Sequence, residues 1–407
     1  MKSIKKLIKK PFRIIRDRVM DIRSDYYIKR NIRVKNTDVI RIGFIVQMAE
    51  VWDKEVRIYE ELRTRADVET FLIVVPPYDL KTDKNTLSYE NDPFLSIYHE
   101  AIKALQPDGK WIDIKKFNLD YLFFQRPYDH YLPKPLRSTE LVKHTKCCYV
   151  PYGYAGSDVF NRGNTNLPFF RNMSFVFLES EYMKGIFKRS FEHRMMFKYQ
   201  KYETLGYPNL EVYFDNPSRD EIKNILWTPR WSYDPEIGGS HFFEYKDLPF
   251  FIKSHYSGID VVFRPHPLMF DEFIKQGLMK QQEADDYKRR IREASIAYDS
   301  GTLISEAISR SDLLITDYSS IIINYFLTGK PIIYCKADYE LNEEYSQIES
   351  CLYVAEDQKQ IESYIAMLLN GEDPLAEKRK ALIEKYRLQH IGAAKRIVDC
   401  LLSVSQQ

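Results

Sequence analysis

The chain has 407 residues, of which 44% are hydrophobic, with 30 Tyr and 24 Phe; that is enough to fill more than one core and excludes a disordered chain. Five Cys, two of them adjacent at Cys147 and Cys148, make no disulfide framework and no CxxC pair. The 8 His show no HxH or HExxH spacing, so a reducing compartment is expected and a zinc centre is not.

Net charge is +2, yet residues 1–35 hold thirteen Lys or Arg and three Asp, a +10 head on a mildly acidic body. Ile4, Leu7, Ile8, Phe12, Ile15, Val19 and Ile22 are spaced among these charges largely as one helical face, with Pro11 as a break or restart. Residues 1–37 read as an interfacial helix on an anionic membrane surface, or else as a solvated basic arm. Nucleic acid is disfavoured, because the remaining surface is net acidic and carries no binding motif. No apolar run approaches the ~20 residues of a membrane span, and no signal-peptide core with a cleavage site opens the chain.

From Val39 the pattern turns α/β. Strands are expected at 40–46, 69–75, 121–124, 147–150 and 174–178, and helices at 52–65, 93–105, 136–143 and 181–191. This alternation predicts a parallel, doubly wound sheet over 38–215, with Asn216, Pro217 and Ser218 as linker. Two strand ends stand out. Gln47, Met48, Ala49 and Glu50 follow the first strand, where Glu50 fits a general base or a surface carboxylate at a helix start. Pro151 to Gly156 follow a later strand, and there Tyr152 and Gly153 are acceptor-side candidates.

A second α/β unit occupies 216–407. Strands are expected at 225–227, 259–263, 296–298, 313–316, 332–334 and 352–354, helices at 271–293, 304–310 and 321–327, and mostly helix from 359 to 403. Three strand ends carry polar chemistry: Thr228 with Arg230, Arg264 with His266, and Asp317 with Ser319 and Ser320. Such ends converge on one crevice of a doubly wound sheet. Arginine forks and a Ser-Ser helix start suit a diphosphate. His266, between two prolines, reads as a catalytic group, acting as an imidazolium on developing phosphate charge or as a general acid.

The stretch SDLLITDYSSIIINYFLTGKPIIYC (311–335) resembles the signature of the CDP-glycerol glycerophosphotransferases, the teichoic-acid primases and polymerases. FLESEYMKGIFKRSF with LGYPNLEVYF, then ILWTPRW and VVFRPHP, resemble further family segments in the same order, and the likeness covers roughly residues 120–370. It implies an α/β fold of two Rossmann-like domains facing across a cleft (GT-B type), with a cytidine diphosphate donor on the second. It also implies a peripheral enzyme at the cytoplasmic face of the membrane and no metal cofactor. Carried across, Ser319 and Ser320 match the donor-phosphate residues and His266 the C-terminal His. The family's N-terminal turn with its basic His corresponds to Val150–Tyr154 here, where that His is absent, leaving Glu50 and Tyr152 as candidate bases.

The expected reaction moves a polyol phosphate, glycerol phosphate foremost, from a CDP-activated donor to a hydroxyl of a lipid-linked or cell-surface glycan or teichoic-acid-like polymer, releasing CMP. The alternatives are a GT-B glycosyltransferase using a nucleotide-sugar and a non-catalytic subunit of a polysaccharide-assembly complex.

Overall fold

Two parallel sheets organise the chain, and their central strands are buried on both faces. The computed structural model describes every residue except 1, 33–37, 80–83, 91, 155, 157–164, 166, 192–197, 216–220, 235–238, 302–303, 337–340 and 406–407; for residues 2–13, 167, 404 and 405 it describes the backbone alone. The linker expected at Asn216, Pro217 and Ser218 lies outside the described residues.

The chain divides into two compact units: Met1–Tyr152 with Arg162–Asn209 and His390–Gln407, and Gly153–Asn161 with Leu210–Gln389. Both are discontinuous; the sequence suggests ranges of 38–215 and 216–407, with the last helix able to return toward the first. Residues 390–407 join the first unit because the helix Ala393–Ser405 packs on the helix Asp53–Arg63 and Leu401 accepts from Tyr121 Oη at 2.9 Å.

The first unit holds β1 (Ile40–Val46), β2 (Val68–Val74), a small hairpin of β3 (Tyr78–Asp79) and β4 (Lys84–Asn85), β5 (Ile102–Lys103), β6 (Tyr121–Phe124), β7 (Lys146–Tyr149), β8 (Met173–Leu178) and β9 (Lys201–Thr204). The main sheet runs β5-β2-β1-β6-β7-β8-β9, all parallel. Its order reverses between β1 and β6. Tyr121–Phe124 are wholly buried, as a central parallel strand requires, and Phe44 stacks on Phe123 at 4.9 Å.

The helix expected over 93–105 stops at Ile97. Tyr98 leaves the helical region to stack on Phe94 and accept from Trp52 Nε1 at 3.0 Å, and Ile102–Lys103 becomes an edge strand. The helix expected over 136–143 shrinks to Ser138–Leu141, and β9 went unread.

The N-terminal helix runs Lys2–Arg30 without a break at Pro11. Its docked face is polar. Asp17 and Asp21 lie 3.6 and 3.3 Å from buried Arg171, Ser24 donates to Asn172 at 2.7 Å, and Asn31 donates to Val142 O. Ile28 is the apolar member of this row. Steps of three and four residues put all five on one side. The other side leaves Ile15, Val19, Ile22 and Tyr26 more than half exposed.

The second unit holds β10 (Asn224–Thr228), β11 (Asp260–Phe263), β12 (Ala297–Tyr298), β13 (Leu313–Thr316), β14 (Ile332–Cys335) and β15 (Tyr353–Ala355). The order is β12-β11-β10-β13-β14-β15, again parallel, and it reverses between β10 and β13. The helix expected over 271–293 is two, Met269–Lys275 and Gln281–Glu293, because the chain turns at Gly277 with φ +74°. Helices Leu248–His255 and Glu343–Glu349 were not anticipated. Lys330, buried, donates to the carbonyls of Ile308, Ser309 and Ser311 and so closes the end of the helix Ile304–Arg310.

Candidate functional site

In an open α/β sheet, ligands bind outside the carboxyl ends of the strands where the order reverses. In the second unit that point lies between β10 and β13, and most of the expected donor residues stand at it.

Asp317 follows β13 and is buried. Its Oδ2 accepts from the Arg230 amide at 2.8 Å and from Ser240 Oγ and the His241 amide, each at 3.3 Å. Burial pushes the carboxyl up, while His241 and these donors pull it back. Thr228 Oγ1 donates to Thr316 Oγ1 at 2.8 Å and is buried. Arg230 is also buried, donates to the Tyr318 carbonyl at 2.6 Å and lies over the Tyr318 ring. Thr228, Arg230 and Asp317 thus build the walls of the turn. Arg264 binds Asp299 at 2.7 Å and the Gly301 carbonyl at 2.7 Å, so its fork ties β11 to the loop after β12.

Ser319 and Ser320 face outward from this frame. Ser319 Oγ accepts from the Ile321 amide at 3.4 Å, while Ser320 is exposed and makes no side-chain cap. The helix they open, Ile321–Phe326, has only six residues, so its dipole contributes less than the turn's own N–H groups. Segment 153–156 is knitted to the same turn. The Gly156 amide donates to Tyr318 Oη at 2.9 Å, and Tyr345 Oη donates to the Tyr154 carbonyl at 3.0 Å. A Cβ on Gly156 would collide with the Tyr345 ring. Gly153 begins this segment.

Two histidines of this edge are shifted in opposite directions. The Leu268 amide donates to Nδ1 of His266 at 3.2 Å, which leaves the proton on Nε2. Desolvation and then the Arg230 charge push its imidazole down to about 4. His266 is exposed, so water screens that displacement; its direction is toward neutral imidazole. Both observations favour a neutral ring with an Nε2–H to donate over the imidazolium form.

His241 was missed. Its Nδ1 faces Glu244 and its Nε2 faces the Lys336 carbonyl at 2.8 Å, so both nitrogens meet acceptors. Burial opposes its charge, but Asp317, Glu244 and that carbonyl outweigh burial and raise its pKa. The only signal in the sequence was an isolated His after Gly238-Gly239-Ser240.

In the first unit, the reversal between β1 and β6 is locked by Gln125. Its Oε1 accepts from the Gln47 and Met48 amides, both at 2.8 Å, and its Nε2 donates to the Met48 carbonyl at 2.8 Å. Glu50 follows on a short turn, Ala49–Val51, and is exposed. Buried Lys54 donates to the Val150 carbonyl at the end of β7; burial pushes its ammonium down to about 8, against the pull of Glu55 at 3.4 Å. Tyr152 Oη shares a 2.9 Å hydrogen bond with Tyr128 Oη. Glu50 and Tyr152 therefore stand at the carboxyl-end edge of the first sheet.

Residues 156–403 match the family described as CDP-glycerol:poly(glycerophosphate) glycerophosphotransferase. No curated protein matches the chain. Among solved structures, the wall teichoic acid polymerase TagF is 15% identical, aligns over 100% of this chain and 98% of its own, and has a TM-score of 0.54. A UDP-N-acetylglucosamine 2-epimerase is 14% identical over 90% and 96%, with a TM-score of 0.56. The UDP-GlcNAc 2-epimerase of Neisseria meningitidis is 13% identical over 89% and 100%, at 0.57. At these identities the likeness is one of fold: α/β, with two Rossmann-like units.

Proposed function

Because this chain belongs to the CDP-glycerol:poly(glycerophosphate) glycerophosphotransferase family, we propose that it transfers glycerol phosphate from CDP-glycerol to a hydroxyl of a teichoic-acid-like polymer and releases CMP. The observation that carries this reading is the family match over 156–403, which includes both polar edges of the second unit at β10 and β13.

The acceptor oxygen attacks the β-phosphorus, the bond to CMP breaks, and CMP leaves with the bonding pair. Ser320 and the turn's amides donate to the diphosphate, and the Nε2–H of His266 donates to oxygens that gain charge during transfer. Asp317, Thr228 and Arg230 hold the turn that presents these donors. Glu50 and Tyr152 remain the candidates to take the acceptor's proton. No metal enters this reading, and a chelator should leave CMP release unchanged.

The polymer acceptor is taken to be lipid-linked, and the protein to sit on the cytoplasmic face of the membrane. Support comes from the N-terminal helix, which presents Ile15, Val19 and Ile22 outward beside Arg16, Arg18 and Arg23. Among the described residues, no helix is long and apolar enough to cross a membrane.

The test is a donor screen on purified protein with CDP-glycerol, CDP-ribitol and a panel of nucleotide-sugars. CMP release coupled to polymer growth is expected with CDP-glycerol. Release of UDP or GDP would replace the reading with a glycosyltransferase, and silence with every donor would leave a non-catalytic subunit.

A further inference from the structure

We infer that Arg126 anchors an anion subsite in the first unit, one that takes a phosphodiester of the acceptor polymer. The inference deepens the function proposed above and rests on it.

Arg126 stands directly after β6, beside the reversal between β1 and β6. Its guanidinium lies 4.7 Å over the Tyr131 ring. Its Nε is buried and without a hydrogen-bond partner. Among the described residues it makes no hydrogen bond and no ion pair. Other buried or half-buried arginines are engaged: Arg171 with Asp21, Arg230 with the Tyr318 carbonyl, Arg264 with Asp299, Arg379 with Asp373. Burial works against the charge of Arg126, and only Tyr131, Tyr152, Tyr128 and, least, Glu50 offset it electrostatically. A desolvated cation without a counter-ion costs free energy that a bound anion returns.

The surroundings narrow the anion. The Tyr128–Tyr152 hydroxyl pair, at 2.9 Å, adds hydrogen-bonding groups next to the fork. Gln125 holds the neighbouring loop rigid through three hydrogen bonds, so the edge is preformed. One fork binds two oxygens of one phosphate. The carboxylate of Glu50 and the buried ammonium of Lys54 act on Arg126 with opposite sign, which leaves the fork's single charge to match a monoanionic diester. The phenol rings offer apolar contact to the glycerol carbons between phosphates.

The test measures binding of a synthetic glycerol-phosphate oligomer to the full chain, with an uncharged oligoglycerol of equal length as control. The parent should prefer the charged oligomer. Arg126→Gln should weaken it at least tenfold and leave the uncharged one and CDP-glycerol unchanged; Arg126→Lys, which keeps charge and stem but loses the fork, should fall between. The inference is overturned if Arg126→Gln binds the charged oligomer like the parent, if the loss falls on CDP-glycerol instead, or if the parent does not prefer the charged oligomer. CMP release by the parent is measured in the same preparations. Its absence counts against the transferase reading, whereas CMP release without charge preference sinks the subsite alone.

Discussion

The amide of Arg230 donates to Oδ2 of Asp317 across 2.8 Å, and this bond joins the ends of β10 and β13 where the second sheet reverses. The same oxygen takes Ser240 and His241, so one buried carboxylate sets two chain segments, at Arg230 and at Ser240–His241, around the turn that carries Ser319 and Ser320. Asp317→Ala orphans these donors, and each buried orphan costs roughly 1–3 kcal/mol. A loss of about 2–4 kcal/mol in denaturant-derived stability is expected, with weaker donor binding; Asp317→Asn, which keeps an acceptor oxygen, should lose less. Equal stability of Asp317→Ala and parent would remove the organising role.

Donor binding and turnover should separate at the outer residues. Ser320→Ala deletes an exposed hydroxyl that supports no helix cap, so the fold should be unaffected while CDP-glycerol affinity drops about tenfold, the worth of a hydrogen bond to a charged group. His266→Ala should slow single turnover more than it weakens donor binding, because its Nε2–H serves charge that develops in the transition state. Since burial and Arg230 push its free imidazole toward the neutral form, any inflection His266 adds to the pH profile of kcat/KM should lie below the ordinary imidazole range. Donor binding equal to the parent in Ser320→Ala, or a parent-like rate in His266→Ala, would move the site elsewhere.

His390 makes the first unit acid-sensitive. It is fully buried, and its Nδ1 accepts from the Tyr207 amide at 3.0 Å, which demands a neutral ring. Burial, then Arg396, push its pKa down to about 3. The folded pKa is below the unfolded one, so its contribution is complete above about 6.5 and is lost as pH falls toward about 3. The slope approaches about 1.4 kcal/mol per pH unit inside that window. Denaturant midpoints from pH 7 to pH 5 should fall more steeply for the parent than for His390→Asn; parallel curves would show that His390 is not the titrating group.

The N-terminal helix should bind anionic vesicles through the side that faces away from Arg171 and Asn172. Replacing Ile15, Val19 and Ile22 together by Ser removes exposed apolar side chains and none of the docking contacts. Phosphatidylglycerol vesicle binding should fall at least tenfold, with thermal stability and soluble-donor turnover unchanged. Undiminished vesicle binding would show that basic charge alone carries the attachment. Asp21→Asn tests the opposite side: it removes one of the two carboxylates beside buried Arg171, Asp17 keeping the other, and should cost about 1–3 kcal/mol of stability.

Much of the strand framework was readable in the linear chain, because each core strand is a short apolar run closed by polar, Pro or Gly residues. Leu313–Thr316 and Tyr121–Phe124 are buried on both faces and cannot be mistaken for surface segments. Ser319 and Ser320, as well as His266, were legible as strand-end residues. What such residues bind was not. Thr228 found Thr316, Arg264 found Asp299 and Arg230 found Tyr318, all across turns and strands that become neighbours only in the folded sheet. His241 reaches Asp317 in the same way, and no spacing in the chain announces it. The basic head likewise shows its charge and its apolar spacing in sequence, but Arg171 and Asn172 decide that its polar side docks and its apolar side stays exposed. Burial follows from composition and period, which are local. Partner choice follows from which hydrogen-bonding groups folding leaves unsatisfied side by side, and that is a property of the tertiary structure.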